Sequence, residues 1–202
     1  MAYTIAVSNE KGGVAKTTTT MSLGAALAEA GNKVLLIDLD PQANLTLAAG
    51  LEISEVSTSS SNILIESAPL QNALHHTEIE NVDIVPAHPN IESAEQYLPM
   101  RTNYTAILRR SIAQSTSLPY SFILLDCPPF LGAITQNALS AAALLVIPTQ
   151  AEFFSAYALR NMMGIIRRVR QESNPDLAYR IFFNGLFYVK RWACFGSVGR
   201  NV

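Results

Sequence analysis

Residues 11–18 have the types and the spacing of a loop that binds a polyphosphate. They read Lys-Gly-Gly-Val-Ala-Lys-Thr-Thr and follow a β-like run, Tyr-Thr-Ile-Ala-Val, at residues 3–7. A strand that feeds a glycine turn and then opens a helix with Lys-Thr aims backbone N–H groups and the positive end of the helix dipole at a phosphate. Lys16 would then reach the β- and γ-phosphates, and the Thr17 hydroxyl would bind Mg²⁺.

The loop departs from the common pattern G-x-x-x-x-G-K-[ST]. Glu10 and Ala15 stand where that pattern has glycine. A variant form, Lys-Gly-Gly-x-x-Lys-Thr, does match, and its first lysine, Lys11, places a second cation near the polyphosphate. The alternative interpretation is that Lys11 is a loop lysine exposed to solvent. Because residue 15 is alanine, we expect its backbone φ to be one that suits an L-residue.

Acidic residues follow two apolar runs that have the pattern of buried strands. Residues 34–37 are continuously apolar and end in Asp38-Leu39-Asp40, and residues 122–125 end in Asp126. Strand alternation points Asp38 and Asp40 to the same side, at the carboxyl edge where open α/β sheets bind ligands. Asp126 has the placement of a Walker B acid, which holds Mg²⁺.

The pattern along the rest of the chain predicts an α/β fold with a doubly wound, mostly parallel sheet. Strands alternate with helices, as parallel sheets require. Further strands are predicted at residues 82–86, 144–148 and 179–183, helices at 17–30, 91–97, 103–115 and 155–172, and a Ser/Thr-rich loop at 54–62. The length of 202 residues and a hydrophobic content of 49% indicate one such domain.

Composition excludes several classes of protein. Cys127 and Cys194 lie too far apart for a metal pair and are too few for a disulfide framework. The N-terminus lacks the basic region of a secretory signal, and the longest apolar run, residues 141–147, is far shorter than the roughly 20 residues that cross a bilayer. We therefore expect a soluble cytoplasmic protein with no membrane partner.

The net charge of −2 conceals an asymmetry. From Arg160 onward there are eight basic residues and two acidic ones, so this part carries +6 and the rest −8. A basic end on an acidic body is typical of nucleic-acid contact. A solvated helix face would have the same charges.

Residues 11–18 resemble the ParA/MinD family of P-loop ATPases, which move plasmids, chromosomes and other cargo in bacteria. The resemblance extends to residues 34–44, to Asp-Cys-Pro-Pro at 126–129, and to 131–132, 135–139 and 146–154. Matching segments run from residue 3 to about residue 181 and are closest to the ParA/Soj branch. Ala15 and Ala43 stand where many members have glycine. The resemblance implies a P-loop NTPase fold of the deviant Walker A, nitrogenase-iron-protein-like type.

The resemblance also implies roles for particular residues. ATP would bind to Lys11, Gly12, Gly13, Val14, Ala15, Lys16, Thr17 and Thr18. Mg²⁺ would be held by Thr17, Asp38 and Asp126. The catalytic residues would be Lys11, Lys16 and Asp40, with Asp40 orienting the attacking water. Lys11 resembles the signature lysine that crosses to the partner's ATP in a nucleotide-sandwich dimer.

The implied function is that of a ParA-type ATPase in plasmid partition or chromosome segregation. ATP would drive formation of a homodimer, the dimer would bind duplex DNA of the nucleoid non-specifically, and a ParB-like partner would trigger hydrolysis. The candidate DNA contacts are Arg160, Arg167, Arg168 and Arg170. The alternatives are a MinD-like membrane-associated positioning ATPase, which the absence of a terminal amphipathic helix disfavours, and a truncated non-catalytic remnant. The nitrogenase iron protein is set aside, because Cys127 and Cys194 do not match its cluster ligands.

The resemblance ends abruptly at about residue 182. This break predicts an ATPase domain at residues 1–182 and an atypical tail at residues 183–202, which contains five aromatic residues, among them the single Trp192. Family members continue for roughly 50 to 70 residues more. The hypothesis is that the tail is a shifted reading frame or a truncation artefact, and is therefore non-native or disordered.

Overall fold

The computed structural model of the chain describes residues 2–115 and 118–184, except for the side chains of Phe153 and Phe154. Its strands are Tyr3–Val7 (β1), Val34–Asp38 (β2), His75–His76 (β3), Val82–Val85 (β4), Phe122–Asp126 (β5), Leu144–Thr149 (β6) and Ala178–Phe183 (β7). Its α-helices are Lys16–Glu29 (α1), Asn44–Ala48 (α2), Ala94–Tyr97 (α3), Ile107–Gln114 (α4), Ala133–Ala141 (α5) and Phe153–Glu172 (α6). Short 3₁₀ or π turns occupy Ile53–Glu55, Asn62–Glu66, Leu70–Ala73, Pro89–Ser93, Leu98–Met100 and Tyr104–Ala106.

The strands form one sheet in the order β3-β4-β2-β5-β1-β6-β7. All neighbouring strands are parallel except β3 and β4, which pair antiparallel at one edge. The carboxyl ends of β1, β2 and β5 therefore lie side by side at the centre of one sheet edge. This arrangement confirms the predicted doubly wound, mostly parallel α/β fold.

The central strands are apolar on both faces because helices cover both faces. Along β2, Val34 and Leu36 face one hydrophobic core, and Leu35 and Ile37 face the other. Helix α1 packs on the first side, where its Ala28 contributes to the smaller core. Helices α3 to α6 contribute to the larger core on the second side. A continuous apolar run is the expected sequence of a strand buried in this way.

The predicted strands and the long helices agree with the structure to within two residues at each end. Three elements were not predicted: the two-residue strand β3, the five-residue helix α2, and helix α5. The helices predicted at 91–97 and 103–115 are interrupted by 3₁₀ turns, so only α3 and α4 are regular. The predicted loop at 54–62 is irregular over most of its length, but Ser59, Ser60 and Ser61 are buried within it.

The expectation for the backbone of residue 15 is wrong. Ala15 has φ 63° and ψ 39°, in the left-handed region that favours glycine, at the position before helix α1. Ala43, before helix α2, has φ 51° and ψ 32°. Both alanines thus stand where the chain must turn into a helix through a left-handed residue. Each costs about 1–2 kcal/mol of strain relative to an ordinary conformation.

The proposed tail at 183–202 lies outside the described residues, apart from Phe183 and Asn184. The hypothesis about its origin therefore stays a prediction, as does the domain boundary at residue 182. Within the part of the chain that the structure describes, no helix combines the length and the apolar character needed to span a membrane.

Replacing Ala15 with glycine should raise the free energy of unfolding. Relief of about 1–2 kcal/mol of left-handed strain outweighs the roughly 0.4–1 kcal/mol that a glycine adds to unfolded-state entropy. We expect Ala15→Gly to gain about 0.5–1 kcal/mol by urea denaturation without nucleotide. The matched control is Ala26→Gly, at an exposed position within α1, which should lose about 1 kcal/mol. If Ala15→Gly and Ala26→Gly lowered the free energy of unfolding equally, the backbone at Ala15 would not be strained.

Candidate nucleotide-binding site

The loop between β1 and α1 presents the amino end of a 14-residue helix at the central sheet edge. Gly13 has φ 72°, and the chain enters α1 through the left-handed Ala15, with no side chain capping the first turn. The uncapped amides and the helix dipole make this end of α1 suited to an anion. A Cβ built on Gly12 would meet no heavy atom within 4 Å, so space does not require glycine there.

Lys16 supplies a buried positive charge to this loop. Its side chain curls back over the loop, and Nζ donates to the carbonyl oxygen of Lys11 at 3.4 Å. Burial lowers the pKa of Lys16, and the neighbouring carboxylates of Asp126 and Asp40 oppose that shift. Lys16 is thus buried and close to two carboxylates, at the end of α1 where a polyphosphate would bind.

Asp126 is fully buried at the carboxyl end of β5 and is held by the first turns of α1. The hydroxyl of Thr17 donates to Oδ2 at 2.7 Å, and the hydroxyl of Thr20 donates to Oδ1 at 3.2 Å. Burial, and then the charge of Asp38, raise the pKa of Asp126 to about 7. The two threonine hydroxyls offset part of that effect.

Asp38 lies beside Asp126, because the parallel register of β2 and β5 pairs these two residues. The backbone N–H and the hydroxyl of Thr46 both donate to Oδ2, at 2.9 and 2.8 Å, and the backbone N–H of Asp40 donates to Oδ1 at 3.1 Å. Burial raises the pKa of Asp38 to about 6. Two neighbouring carboxylates are therefore buried together, with mainly neutral donors around them.

Asp40 lies two residues beyond β2, at the mouth of the same edge. It is 7% exposed, and its Oδ1 accepts a hydrogen bond from the backbone N–H of Gln42 at 3.0 Å. Its charge acts on Lys16, Asp38 and Asp126. Asp40 is therefore close enough to Lys16 for its charge to act on that lysine.

The oxygen donors at this edge fit Mg²⁺. Thr17 contributes a hydroxyl, and Asp126 and Asp38 contribute two carboxylates that the strand register places side by side. Among the described residues no group of three or more His, Cys, Asp or Glu side chains could hold a metal by itself. Mg²⁺ is usually bound by one or two carboxylates together with phosphate oxygens and water, so this smaller donor set is the expected one.

Lys11 does not point at the Lys16 site in this chain. Its Nζ forms a salt bridge with Glu152 and hydrogen bonds with Gln150 Oε1 at 3.3 Å and Ser155 Oγ at 3.5 Å. These three residues belong to the β6–α6 connection and the start of α6. Gln150 also donates to the carbonyl oxygen of Gly13 at 3.3 Å. The connection therefore holds both the first lysine and the glycine turn.

Helix α6 presents a basic groove next to this connection. Arg160, Arg167 and Arg168 line an open groove of about 440 Å³ together with Leu131 and Asn161. All three arginines are exposed. The Nδ2 atom of Asn161 donates to Glu10 Oε2 at 2.7 Å, which ties the groove to the residue before Lys11.

Arg170 is held within its own chain, so its contact with DNA stays a prediction. Its Nε and Nη2 atoms both donate to the carbonyl oxygen of Leu177, at 2.9 and 2.6 Å. Its guanidinium also lies 5.6 Å from the centre of the Tyr179 ring. These contacts join the end of α6 to β7, so the guanidinium has a structural role.

Five of the side chains predicted from the sequence converge, whereas Lys11 does not, and several of their partners were missed. Lys16, Thr17, Asp38, Asp40 and Asp126 lie around one point at the carboxyl edge. Thr20 had a signal, since it follows Thr17 by one helical turn. Thr46 and Glu152 had none, because each meets its partner only through the tertiary fold.

Comparisons with known proteins agree with this geometry. Residues 2–179 match the family described as AAA domain. The sporulation initiation inhibitor protein Soj of Bacillus subtilis is 38% identical over 177 residues, which are 88% of this chain and 70% of Soj. The chromosome partitioning protein ParA of Caulobacter vibrioides is 39% identical over 174 residues, which are 86% of this chain and 65% of ParA.

A solved structure with a bound nucleotide has the same fold. The crystal structure of cobyrinic acid a,c-diamide synthase from Mycobacterium smegmatis with bound ADP and magnesium superimposes with a TM-score of 0.86 at 36% identity. The superposition covers 91% of this chain and 74% of that one. Fold and site together define a P-loop nucleotide-binding protein. With its sequence relatives, the chain belongs to the ParA/Soj family of P-loop ATPases.

The two buried carboxylates predict how stability depends on pH without metal or nucleotide. Because the folded state raises the pKa of Asp126 from 3.8 to about 7 and that of Asp38 to about 6, it binds protons more tightly than the unfolded chain. The stability that they contribute is present at low pH and is lost as the pH rises from about 4 to about 7.

Asp126→Asn should therefore gain stability over the parent as the pH rises. Between pH 5 and pH 8 the difference in free energy of unfolding should shift in favour of the variant by on the order of 1–3 kcal/mol. Urea denaturation at both pH values measures it, with the exposed Asp176→Asn as the control. A difference that does not change with pH would show that Asp126 is not the titrating group.

Proposed function

We propose that this chain is a partition-type ATPase that hydrolyses ATP to ADP and phosphate with Mg²⁺, dimerises on ATP and binds DNA non-specifically. The observation that carries the proposal is the convergence of Lys16, Thr17, Asp126, Asp38 and Asp40 at the amino end of α1. Soj and ParA support the partition class, and the magnesium and ADP named for the M. smegmatis structure support the nucleotide and the metal.

The phosphates of ATP would bind at the amino end of α1. The amides from Gly13 to Thr18 supply hydrogen-bond donors, and Lys16 supplies charge from a buried position. Because Lys16 is already out of water, its attraction to a phosphate is screened less than that of a surface lysine. Its present contact with the carbonyl oxygen of Lys11 is long, at 3.4 Å, and is easily exchanged for a phosphate oxygen.

Thr17, Asp126 and Asp38 would hold Mg²⁺. The ion would supply charge that neutralises the phosphate oxygens as the γ-phosphoryl group is transferred. The hydrogen bond from Thr17 to Asp126 already brings the hydroxyl and the carboxylate together. Thr20 and Thr46 then keep Asp126 and Asp38 in place.

Asp40 is the residue that would orient the attacking water. In hydrolysis the water oxygen bonds to the γ-phosphorus, the bond from phosphorus to the β–γ bridging oxygen breaks, and the proton of water leaves with the inorganic phosphate. Asp40 lies at the mouth of the site, and the bond from the Gln42 N–H fixes only Oδ1. Its Oδ2 is therefore the atom that would accept a hydrogen bond from the water.

Lys11 would reach the ATP of a second copy of the chain. Its contacts with Glu152, Gln150 and Ser155 hold it within its own subunit and must be released first. A lysine that arrives at the phosphates adds charge where the transition state spreads it. A point charge without the fork of an arginine should contribute less than the 10³–10⁵ in rate known for an arginine finger.

The exposed arginines of α6 are the candidate contacts to the DNA backbone. Arg160, Arg167 and Arg168 line one groove, whereas Arg170 is engaged with Leu177 and Tyr179. Contacts to phosphate without contacts to bases are non-specific. A ParB-like protein that stimulates hydrolysis, and a place on the nucleoid in the cytoplasm, complete the proposal on the strength of the partition relatives.

Substitution should separate ATP binding from hydrolysis. Lys16→Ala removes charge-assisted contacts of roughly 1.5–3 kcal/mol each and should therefore weaken ATP binding by about tenfold or more. Asp40→Ala should bind ATP nearly as the parent does but lose hydrolysis. Calorimetric titration and phosphate release measure the two properties. The matched controls are the exposed Lys33→Ala and Asp176→Ala. Unchanged affinity in Lys16→Ala, or normal turnover in Asp40→Ala, would remove that residue from the mechanism.

Single substitutions should locate the DNA contacts on α6. For each arginine that contacts a phosphate, conversion to alanine should reduce the slope of log affinity against log salt by about 0.9. The comparison is between Arg160→Ala, Arg167→Ala, Arg168→Ala and, as a control of equal charge, Arg110→Ala on α4, each with ATP and duplex DNA. If Arg110→Ala has the same effect, the chain binds through net charge and not through the groove.

A further inference from the structure

Glu95 of helix α3 binds the amino end of helix α5 with both of its carboxylate oxygens. Oε2 accepts the backbone N–H of Ala133 at 2.6 Å, and Oε1 accepts the backbone N–H of Ile134 at 2.7 Å. A carboxylate at this end of a helix satisfies two free donors and is attracted by the helix dipole. The contact joins segments that are 38 residues apart in sequence.

Gly132 makes room for this contact. A Cβ built on Gly132 would lie 1.9 Å from Glu95 Oε2 and 2.6 Å from Cδ, which is closer than any real contact. The φ of Gly132, −87°, is an ordinary value, so the requirement for glycine comes from space and not from backbone conformation. Glu95 and Gly132 therefore form one structural unit.

This unit fixes one end of the loop that follows the proposed metal-site acid. The loop, residues 127–132, begins after Asp126, which the Thr17 and Thr20 hydroxyls hold to α1. It ends at Gly132, where Glu95 holds the next two amides. Between them, the Thr135 hydroxyl donates to the carbonyl oxygen of Phe130 at 2.6 Å.

The middle of the loop borders helix α6. Leu131 lines the groove that Asn161 shares, and Asn161 is bonded to Glu10 before the phosphate-binding loop. A displacement of residues 130–132 would thus reach both the edge at Asp126 and the connection around Lys11. Misplacement of a supporting group by about 1 Å can cost about 10²-fold in rate.

We propose that Glu95 is a positioning residue that holds residues 127–132 in the geometry needed for ATP hydrolysis and contributes little to ATP affinity. The inference rests on the proposed ATPase function. Affinity depends on α1 and Lys16, which Glu95 does not touch. The far end of the loop, in contrast, is fixed by Glu95, whose carboxylate is the charged group that bonds it among the described residues.

The experiment compares the two ends of helix α5. Glu95→Ala removes two hydrogen bonds at the amino end. Asn174→Ala removes two at the carboxyl end, where Asn174 Nδ2 donates to the carbonyl oxygens of Leu139 and Ala142 at 2.9 and 2.7 Å. Both variants should lower Tm. Only Glu95→Ala should lower kcat, by at least about tenfold, with ATP affinity within about threefold of the parent.

Two further variants test whether the effect arises through the loop. Glu95→Gln keeps one acceptor oxygen and should give an intermediate kcat. Gly132→Ala should displace the carboxylate and lower kcat as Glu95→Ala does, and the double variant should be no worse than either one. Additive losses, or equal kcat in Glu95→Ala and Asn174→Ala, would reduce Glu95 to a helix cap and overturn the proposal.

Amide hydrogen exchange separates this proposal from the proposed function. With Mg²⁺ and ADP present, the amide of Gln136, which donates to the carbonyl oxygen of Gly132 at 3.0 Å, should exchange at least about tenfold faster in Glu95→Ala than in the parent or in Asn174→Ala. A parent that hydrolyses no ATP above the Lys16→Ala blank would overturn the ATPase function. Unchanged exchange in Glu95→Ala would overturn the positioning role whether or not the parent hydrolyses ATP.

Discussion

The burial of two carboxylates side by side is the constraint on which this structure depends. The parallel register of β2 and β5 places Asp38 beside Asp126, and both side chains are out of water. Ionised groups in such a place are costly unless they are paired and hydrogen-bonded. Hydroxyls and amides from α1 and the start of α2 supply hydrogen bonds to both carboxylates, and the charge of Asp126 acts on the buried Lys16. Burial raises the pKa of both acids, so a divalent cation bound beside them would favour their ionised forms.

The strands could be predicted because each central strand is apolar along its whole length. A continuous apolar run such as residues 34–37 predicts a strand that helices cover on both faces. The acids at 38 and 126 then fall at the same edge of the sheet. The short elements could not be predicted in this way. Helix α5 begins where Glu95, far away in sequence, binds its first amides, and β3 exists only through its pairing with β4.

The residues of the candidate site also divide into those that a local pattern predicts and those that only tertiary contacts define. Spacing alone gave the loop lysine, the Thr17 hydroxyl and the acids, because these residues are placed by one strand or one helix turn. Thr46 and Glu152 are defined by contacts that cross the fold, and no local pattern marks them. Ala15 shows a third case: the sequence pattern was matched, but the left-handed conformation that glycine normally supplies is adopted by alanine at a cost in strain. The fold can therefore impose a left-handed conformation on a residue that is not glycine.

The position of Lys11 bears on how a second copy of the chain would be recognised. Its partner Glu152 is more than half exposed, so the salt bridge between them contributes only about 0–1 kcal/mol. Two weaker bonds, to Gln150 and Ser155, do not change that scale. A polyphosphate presented by a second subunit carries several negative charges and would exceed this attraction. The intrachain contact therefore keeps Lys11 away from its own Lys16 site without opposing its transfer, and on the proposed function the presence of ATP in the second subunit, not the strength of this salt bridge, decides when the lysine crosses.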